Sequence, residues 1–163
     1  MQLQRLTMTS NPDINVLIGK ELGISDWVKI TQDMVNQFGE LTLDRQWIHT
    51  DVEKAKLHMP DTGTIVHGYF TLSLISYLMG TVMKKALPAS HGHRIKRIIN
   101  YGLNKVRFTD VVPVGSRVRI KVTLDEAEDT PKGAQFTYGV TMETEGREKP
   151  ALITQCIVYY ILG

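Results

Sequence analysis

Between Thr62 and Thr109 the chain carries no aspartate or glutamate, and between Thr62 and Met83 it has no Asp, Glu, Lys or Arg at all. Charged side chains are the last to be buried, so a stretch without them reads as an interior element. Cysteine is as scarce: Cys156 is the single one, which excludes an internal disulfide and fits a reducing compartment. Its neighbours, Ala151 to Leu162, read as a buried strand, so Cys156 is expected to be a small core hydrophobe and not a nucleophile. A charge excess is missing too, since 19 Lys and Arg against 17 Asp and Glu leave +2, no ground for nucleic-acid binding. No apolar segment of signal-peptide type opens the N-terminus, and the best apolar run is broken by Thr71, Ser73, Ser76, Gly80 and Thr81. A soluble, cytoplasmic protein with no membrane association is therefore expected. Internal repeats, low-complexity tracts and Pro/Gly-rich linkers are absent, which makes residues 1–163 one domain with 1–20 as a lead-in.

What is present begins with Val16-Leu17-Ile18, a short helix or strand, and a first strand around Trp27, Val28 and Ile30. Thr31 is placed to cap a helix through Asp33, Met34, Val35 and Phe38, with Gly39 ending it. Asp51 to Lys56 places acids early and lysines late, as the dipole of a short exposed helix favours. From Gly68 to Met83 apolar residues occupy every face of a helical wheel. At ~1.5 Å per residue such a helix is about 24 Å long, short for a bilayer, so protein is expected to surround it. Four strand-like runs follow, Ile98 to Phe108, Ser116 to Glu126, Ala134 to Glu145 and Ala151 to Ile161, joined by Pro113-Val-Gly115, Asp129 to Gly133 and Glu145-Gly146. Antiparallel strands with one fully apolar helix to cover predict an α+β hot-dog fold, a curved antiparallel sheet wrapped around a long buried central helix.

Three groups of residues bear chemistry. Asp44 and His49 lie five apart, about 140° around a regular helix, and meet only in a turn or an irregular helix start. An Asp and a His flanking one water would deprotonate it and deliver a proton to a neighbouring carbon. An isolated pair at this spacing is common, however, and on spacing alone Asp44 as a helix cap and His49 as a structural residue is the commoner arrangement. Gly68 stands at the start of the apolar helix, where free N–H groups and the positive end of the dipole suit an oxygen that gains negative charge; a plain turn glycine is the alternative. His67 beside it reads as a satisfied structural histidine. The third group is the acid-free segment Lys84 to Arg107, which holds seven basic residues; Lys105 and Arg107 are expected to share one strand face suited to phosphates. His91-Gly92-His93 lies among cations with no carboxylate or cysteine near it, so no metal site is expected. There is no G-x-S-x-G, no G-x-G-x-x-G and no P-loop.

Together Asp44-x-x-x-Ile48-His49, Ile65-Val66-His67-Gly68, Asn100-Tyr-Gly-Leu-Asn-Lys-Val-Arg-Phe108 and Val112-Pro-Val-Gly-Ser116 resemble the MaoC-like dehydratases, the (R)-specific enoyl-CoA hydratases, including their nodulation-protein-N-like branch. The likeness covers roughly residues 20 to 162 and rests on the order and spacing of the motifs. It implies a hot-dog homodimer that reversibly hydrates trans-2-enoyl-CoA to (R)-3-hydroxyacyl-CoA, with no cofactor, the CoA or acyl-carrier-protein thioester being substrate. It also implies that Asp44 and His49 position and activate the water and that the Gly68 amide binds the thioester carbonyl. Gln46 and His67 are expected to support the site, and Lys105 and Arg107 to contact CoA phosphates. Two positions depart from the family pattern: Gln46-Trp47 where many members have Asn-Pro, and Leu43 where a glycine precedes the aspartate. A hot-dog thioesterase would need a similar carboxylate, water and helix-start amide, and a non-catalytic acyl-thioester binding module is the further alternative. Tyr69, Phe70, Leu72 and Met79 either line an acyl tunnel or fill the core.

Overall fold

The computed structural model describes residues 9–86 and 95–163, so His91 and His93 lie outside the described residues. Its centre is the predicted helix. We label the elements α1 (Pro12–Asn15), β1 (Glu21–Ile24), β2 (Val28–Lys29), α2 (Gln32–Thr42), α3 (Trp47–Thr50), α4 (Val52–His58), α5 (Gly68–Ala86), β3 (Ile95–Phe108), β4 (Arg117–Thr130), β5 (Gly133–Thr144) and β6 (Leu152–Leu162). The strands form one antiparallel sheet in the order β1-β4-β5-β6-β3, with β2 also paired to β4. Alternation accounts for its packing. Val118, Ile120, Val122 and Leu124 of β4 point inward and are buried, as are Tyr138, Val140 and Met142 of β5 and Leu152, Cys156, Val158 and Tyr160 of β6. Against this face lie Phe70, Thr71, Ile75, Leu78, Met79 and Val82 of α5. Cys156 is a buried free thiol whose burial pushes its pKa up to about 11, in keeping with an inert core residue.

Three expectations need correction. The single N-terminal strand is two short pieces, β1 and β2, lying along the same partner strand, with Ser25 Oγ accepting from Ile120 N at 3.0 Å between them. Val16 to Ile18 are neither helix nor strand but the turn after α1. Most important, α5 is covered on one side only. Its other face is open in the single chain, with Tyr69 and Tyr77 71% and 64% exposed and Ser73, Ser76 and Gly80 exposed beside them. The sheet ends on this side at β3, which pairs with β6. Ile98, Tyr101 and Leu103 of β3 are exposed, and an open groove of about 490 Å³ lies between this strand and the bare helix face. No helix among the described residues is long and apolar enough to cross a membrane.

Candidate active site

Residues 31 to 68 are folded into a strap over the N-terminal end of α5. Thr31 caps α2 through its hydroxyl, which accepts from Met34 N at 3.3 Å, as predicted. The helix does not stop at Gly39. It runs to Thr42 and ends at Leu43, whose φ of 65° is left-handed. This is the position at which the family pattern places glycine, and a leucine held there carries a backbone cost of about 1 kcal/mol. The left-handed turn throws the chain out of α2, so Asp44, Arg45 and Gln46 precede the single turn of α3 instead of continuing a helix. The irregular start that the Asp44 and His49 spacing requires is therefore present. Asp44 is not a helix cap: Gln46 occupies that position for α3, and its amide Nε2 donates to Asp44 Oδ1 at 3.1 Å.

His49 is buried, and its surroundings define its chemistry. The main chain around it is tied down twice, by Gln32 Nε2 donating to His49 O at 2.7 Å and by Ile65 N donating to Ile48 O at 2.9 Å; Thr64 Oγ1 in turn donates to Gln32 Oε1 at 2.6 Å. His49 Nδ1 lies 2.7 Å from the Ile65 carbonyl oxygen. A carbonyl only accepts, so Nδ1 carries the proton and Nε2 is left with a lone pair able to take one. Burial pushes the imidazole below its ordinary pKa of 6.5; the Ile65 bond opposes this, His67 adds to it and Asp44 opposes it weakly. The neutral, proton-accepting form is thus favoured near neutral pH.

Folded His49 binds its proton less readily than the unfolded chain, so its contribution to stability is complete above about pH 6.5 and is lost as pH falls toward the lowered folded value. Urea midpoints are expected to drop as pH is taken below about 6.5, and to drop less in a His49→Asn variant. An equal drop in both would show that His49 is not the group responsible.

Segment 64–67 is held on its other side by the β4 approach, with Val66 N donating to Val112 O at 2.8 Å and Val114 N to Thr64 O at 2.9 Å. These bonds deliver Gly68 as the first residue of α5. Its N–H has no intrahelical acceptor, and the helix dipole points its positive end there. A Cβ on Gly68 would sit 3.1 Å from the Phe108 ring, so glycine keeps this helix start open. Asp44, His49, His67 and Gly68 line one open cavity of about 400 Å³ together with Phe38, Thr42 and Tyr69. Four of the residues singled out in the sequence are thus brought together. Gln46 touches the group through its amide. Phe38 and Thr42 were missed, since nothing in an amphipathic helix marks which polar or aromatic residue faces a cavity. Of the four residues left between tunnel and core, Phe70 and Met79 are buried, Leu72 is half-buried and Tyr69 lines the cavity.

Lys105 and Arg107 do not join this cavity. Lys105 has φ 54° at a break in the β3–β6 register between Asn104 and Arg107, so the alternation that would place both on one face is interrupted. Lys105 instead lines a cleft of about 290 Å³ with Lys121, Thr123 and Asp125, while Arg107 is exposed and donates to its neighbour's carbonyl, Val106 O, at 2.7 Å.

One ligand atom each from Asp44, His49 and His67 lies within 4.8 Å of the others. That separation is what one water spans with two hydrogen bonds of about 2.8 Å. A metal ion fits less well, because the His49 and His67 rings stack at 3.8 Å with planes only 26° apart. In-plane lone pairs from rings so disposed do not converge on one ion at bonding distance.

The MaoC-like domain family matches residues 13–145 of the chain. The 3-hydroxyacyl-thioester dehydratase Z of Mycobacterium tuberculosis is 45% identical over 156 residues, covering 95% of this chain and 98% of that protein. Nodulation protein N of Rhizobium leguminosarum bv. viciae is 39% identical over 148 residues, covering 89% of this chain and 87% of its own length. In fold, the chain resembles an (R)-hydratase from A. caviae involved in PHA biosynthesis, with a TM-score of 0.66 at 24% identity over 88% of this chain and 96% of that one. The chain belongs to the MaoC-like dehydratase family, in the hot-dog fold.

Proposed function

We propose that the protein is an (R)-specific enoyl-CoA hydratase, a hydro-lyase that reversibly adds water to trans-2-enoyl-CoA to give (R)-3-hydroxyacyl-CoA. The observation that carries this reading is the convergence of Asp44, His49 and the helix-start amide of Gly68 on one cavity. The 45% identity to a 3-hydroxyacyl-thioester dehydratase supports it from sequence. Asp44 is the principal base toward a water that His49 shares through Nε2. The water oxygen bonds to C3 of the enoyl group, the double-bond electrons move toward the thioester oxygen, and the Gly68 N–H holds that developing oxyanion. The proton taken from water is then delivered to C2 on the same face. No electron leaves or enters, so no cofactor is needed and the CoA thioester is the substrate. Arg107 and Lys105 are proposed to meet CoA phosphates.

The test is loss of the conjugated-thioester absorbance of a trans-2-enoyl-CoA, followed together with free thiol. Hydration lowers the absorbance and releases no thiol. Thiol release would make the protein a thioesterase, and tight binding without either change would make it an acyl-thioester binding module.

We further propose that the protein works as a homodimer. A 14-residue edge strand with exposed Ile98, Tyr101 and Leu103 beside an uncovered helix face is the kind of edge that stable proteins pair or cover. Light scattering after size exclusion is expected to give twice the 18.4 kDa chain mass. Tyr101→Asp is expected to shift it to one chain mass. A wild type that runs as a single chain would contradict the proposal.

A further inference from the structure

Gly39 stands inside α2, where glycine is among the poorest helix formers and where the sequence predicts the helix to end. Its cause lies outside the helix. A Cβ built on Gly39 would sit 2.9 Å from the Asp44 carbonyl oxygen and 3.5 Å from Cε1 and Nε2 of His67. The bare Cα therefore leaves the space in which His67 Nε2 donates to the Asp44 carbonyl at 2.9 Å.

We propose that Gly39 and His67 are a pair of positioning residues for Asp44, the glycine making room for the hydrogen bond and the histidine making it. The consequence for turnover rests on the hydratase reading above; the geometry does not. His67 is 2% exposed, with the Phe38 ring 5.1 Å away and the His49 ring stacked on it at 3.8 Å. Its Nδ1 is buried with no hydrogen-bond partner. A buried polar atom left unpaired is costly, and a phenyl ring would fill the same place without one. What histidine adds over such a ring is the Nε2–H, and that proton is spent on Asp44. The bond matters because Asp44 follows the left-handed Leu43, where the helix no longer dictates the chain's path. The side-chain contact to Asp44 comes from Gln46, which is exposed, so the His67 bond is the buried anchor.

The test uses Gly39→Ala, His67→Phe and His67→Gln in the full chain. Gly39→Ala and His67→Phe are each expected to lower kcat at least tenfold with KM changed less than about twofold, because the base is displaced while the substrate cavity remains. His67→Gln, whose amide keeps an N–H donor, is expected to recover most of the loss seen with His67→Phe. In an Asp44→Asn background, Gly39→Ala is expected to add less than about a twofold loss, since the group it displaces no longer carries the reaction. Wild-type kcat in Gly39→Ala, equal activity of the Phe and Gln variants, or an undiminished Gly39→Ala effect without Asp44 would each overturn the proposal. Should Gly39→Ala not fold, the Phe and Gln pair decides alone. Nitrogen NMR of the imidazoles reads the same bond without turnover: a slowly exchanging His67 Nε2–H is expected in wild type and lost in Gly39→Ala. If that signal behaves so in a protein that does not hydrate enoyl-CoA, the hydratase reading fails and the positioning stands. If the protein hydrates and the protected proton is missing, the positioning fails.

Discussion

Asp44→Asn is expected to lower the kcat of enoyl-CoA hydration by about three orders of magnitude, the range of a lost general base. It is also expected to leave the thermal midpoint within about 2 °C, since surface-level changes away from buried networks stay within ±0.5 kcal/mol. The two halves of this expectation have separate causes. Asparagine matches aspartate in shape and keeps an Oδ1 to accept the Gln46 amide, and the bond that holds the residue in place uses its main-chain carbonyl, which the substitution does not touch. What disappears is the capacity to take a proton from water. His49 remains in the cavity, but its pKa is depressed by burial, so it is a weak base by itself. A variant that kept most of the activity would assign the base to another group. A variant that lost activity together with a large fall in thermal midpoint would mean that the carboxylate is structural.

Gly133→Ala is expected to have the largest effect on stability, about 3 kcal/mol, or roughly 6–12 °C in thermal midpoint at fixed protein concentration. Gly133 opens β5 with φ 153°, a conformation that side chains rarely adopt, and an added Cβ would run into the main-chain oxygen of Tyr160. That oxygen belongs to β6, which Gly133 faces at Ile161 while Leu162 N donates to Lys132 O at 3.0 Å. Relief requires the end of β6 to move away from the hairpin. Tyr160 also carries the buried hydroxyl pair with Tyr138, at 2.8 Å, so the displacement reaches the core. Calorimetry checks this: a midpoint within about 2 °C of wild type would show that the hairpin end yields freely.

The four long strands and the central helix were legible because their patterns have single physical readings. Alternation over β4 to β6 marks one buried face, and the charge-free run through Gly68 to Met83 marks the helix, though not that only one side of it is covered. The Thr31 cap was legible for the same reason, since a short oxygen-bearing side chain ahead of a helical pattern has one local task, whereas Asp51, read as the first acid of an exposed helix, caps α4 from just outside it. Gly39 was misread because helix-ending signals are local, whereas its reason is the approach of Asp44 and His67 from outside the helix. β1 was missed because it is only four residues long, carries no run of alternation and owes its existence to pairing with β4. The face shared by Lys105 and Arg107 failed at a register break that side-chain pattern does not announce.

The site divides along the same line. Asp44 and His49 were identifiable as a pair, but only the left-handed Leu43 turn shows how a five-residue spacing brings them to one cavity. The tautomer of His49 was not legible at all, since it depends on Ile65, sixteen residues away in sequence. Gln46, where the family pattern has asparagine, presents its amide to Asp44.

Whether Asp44 and His49 act on one water is decided by a single-turnover hydration assay on Asp44→Asn, His49→Asn and the double variant. If the two side chains share the water and its proton, removing either disables the step, and the double variant should be no slower than the slower single variant within about threefold. Losses that multiply in the double variant, or a single variant that retains most of the wild-type rate, would contradict it.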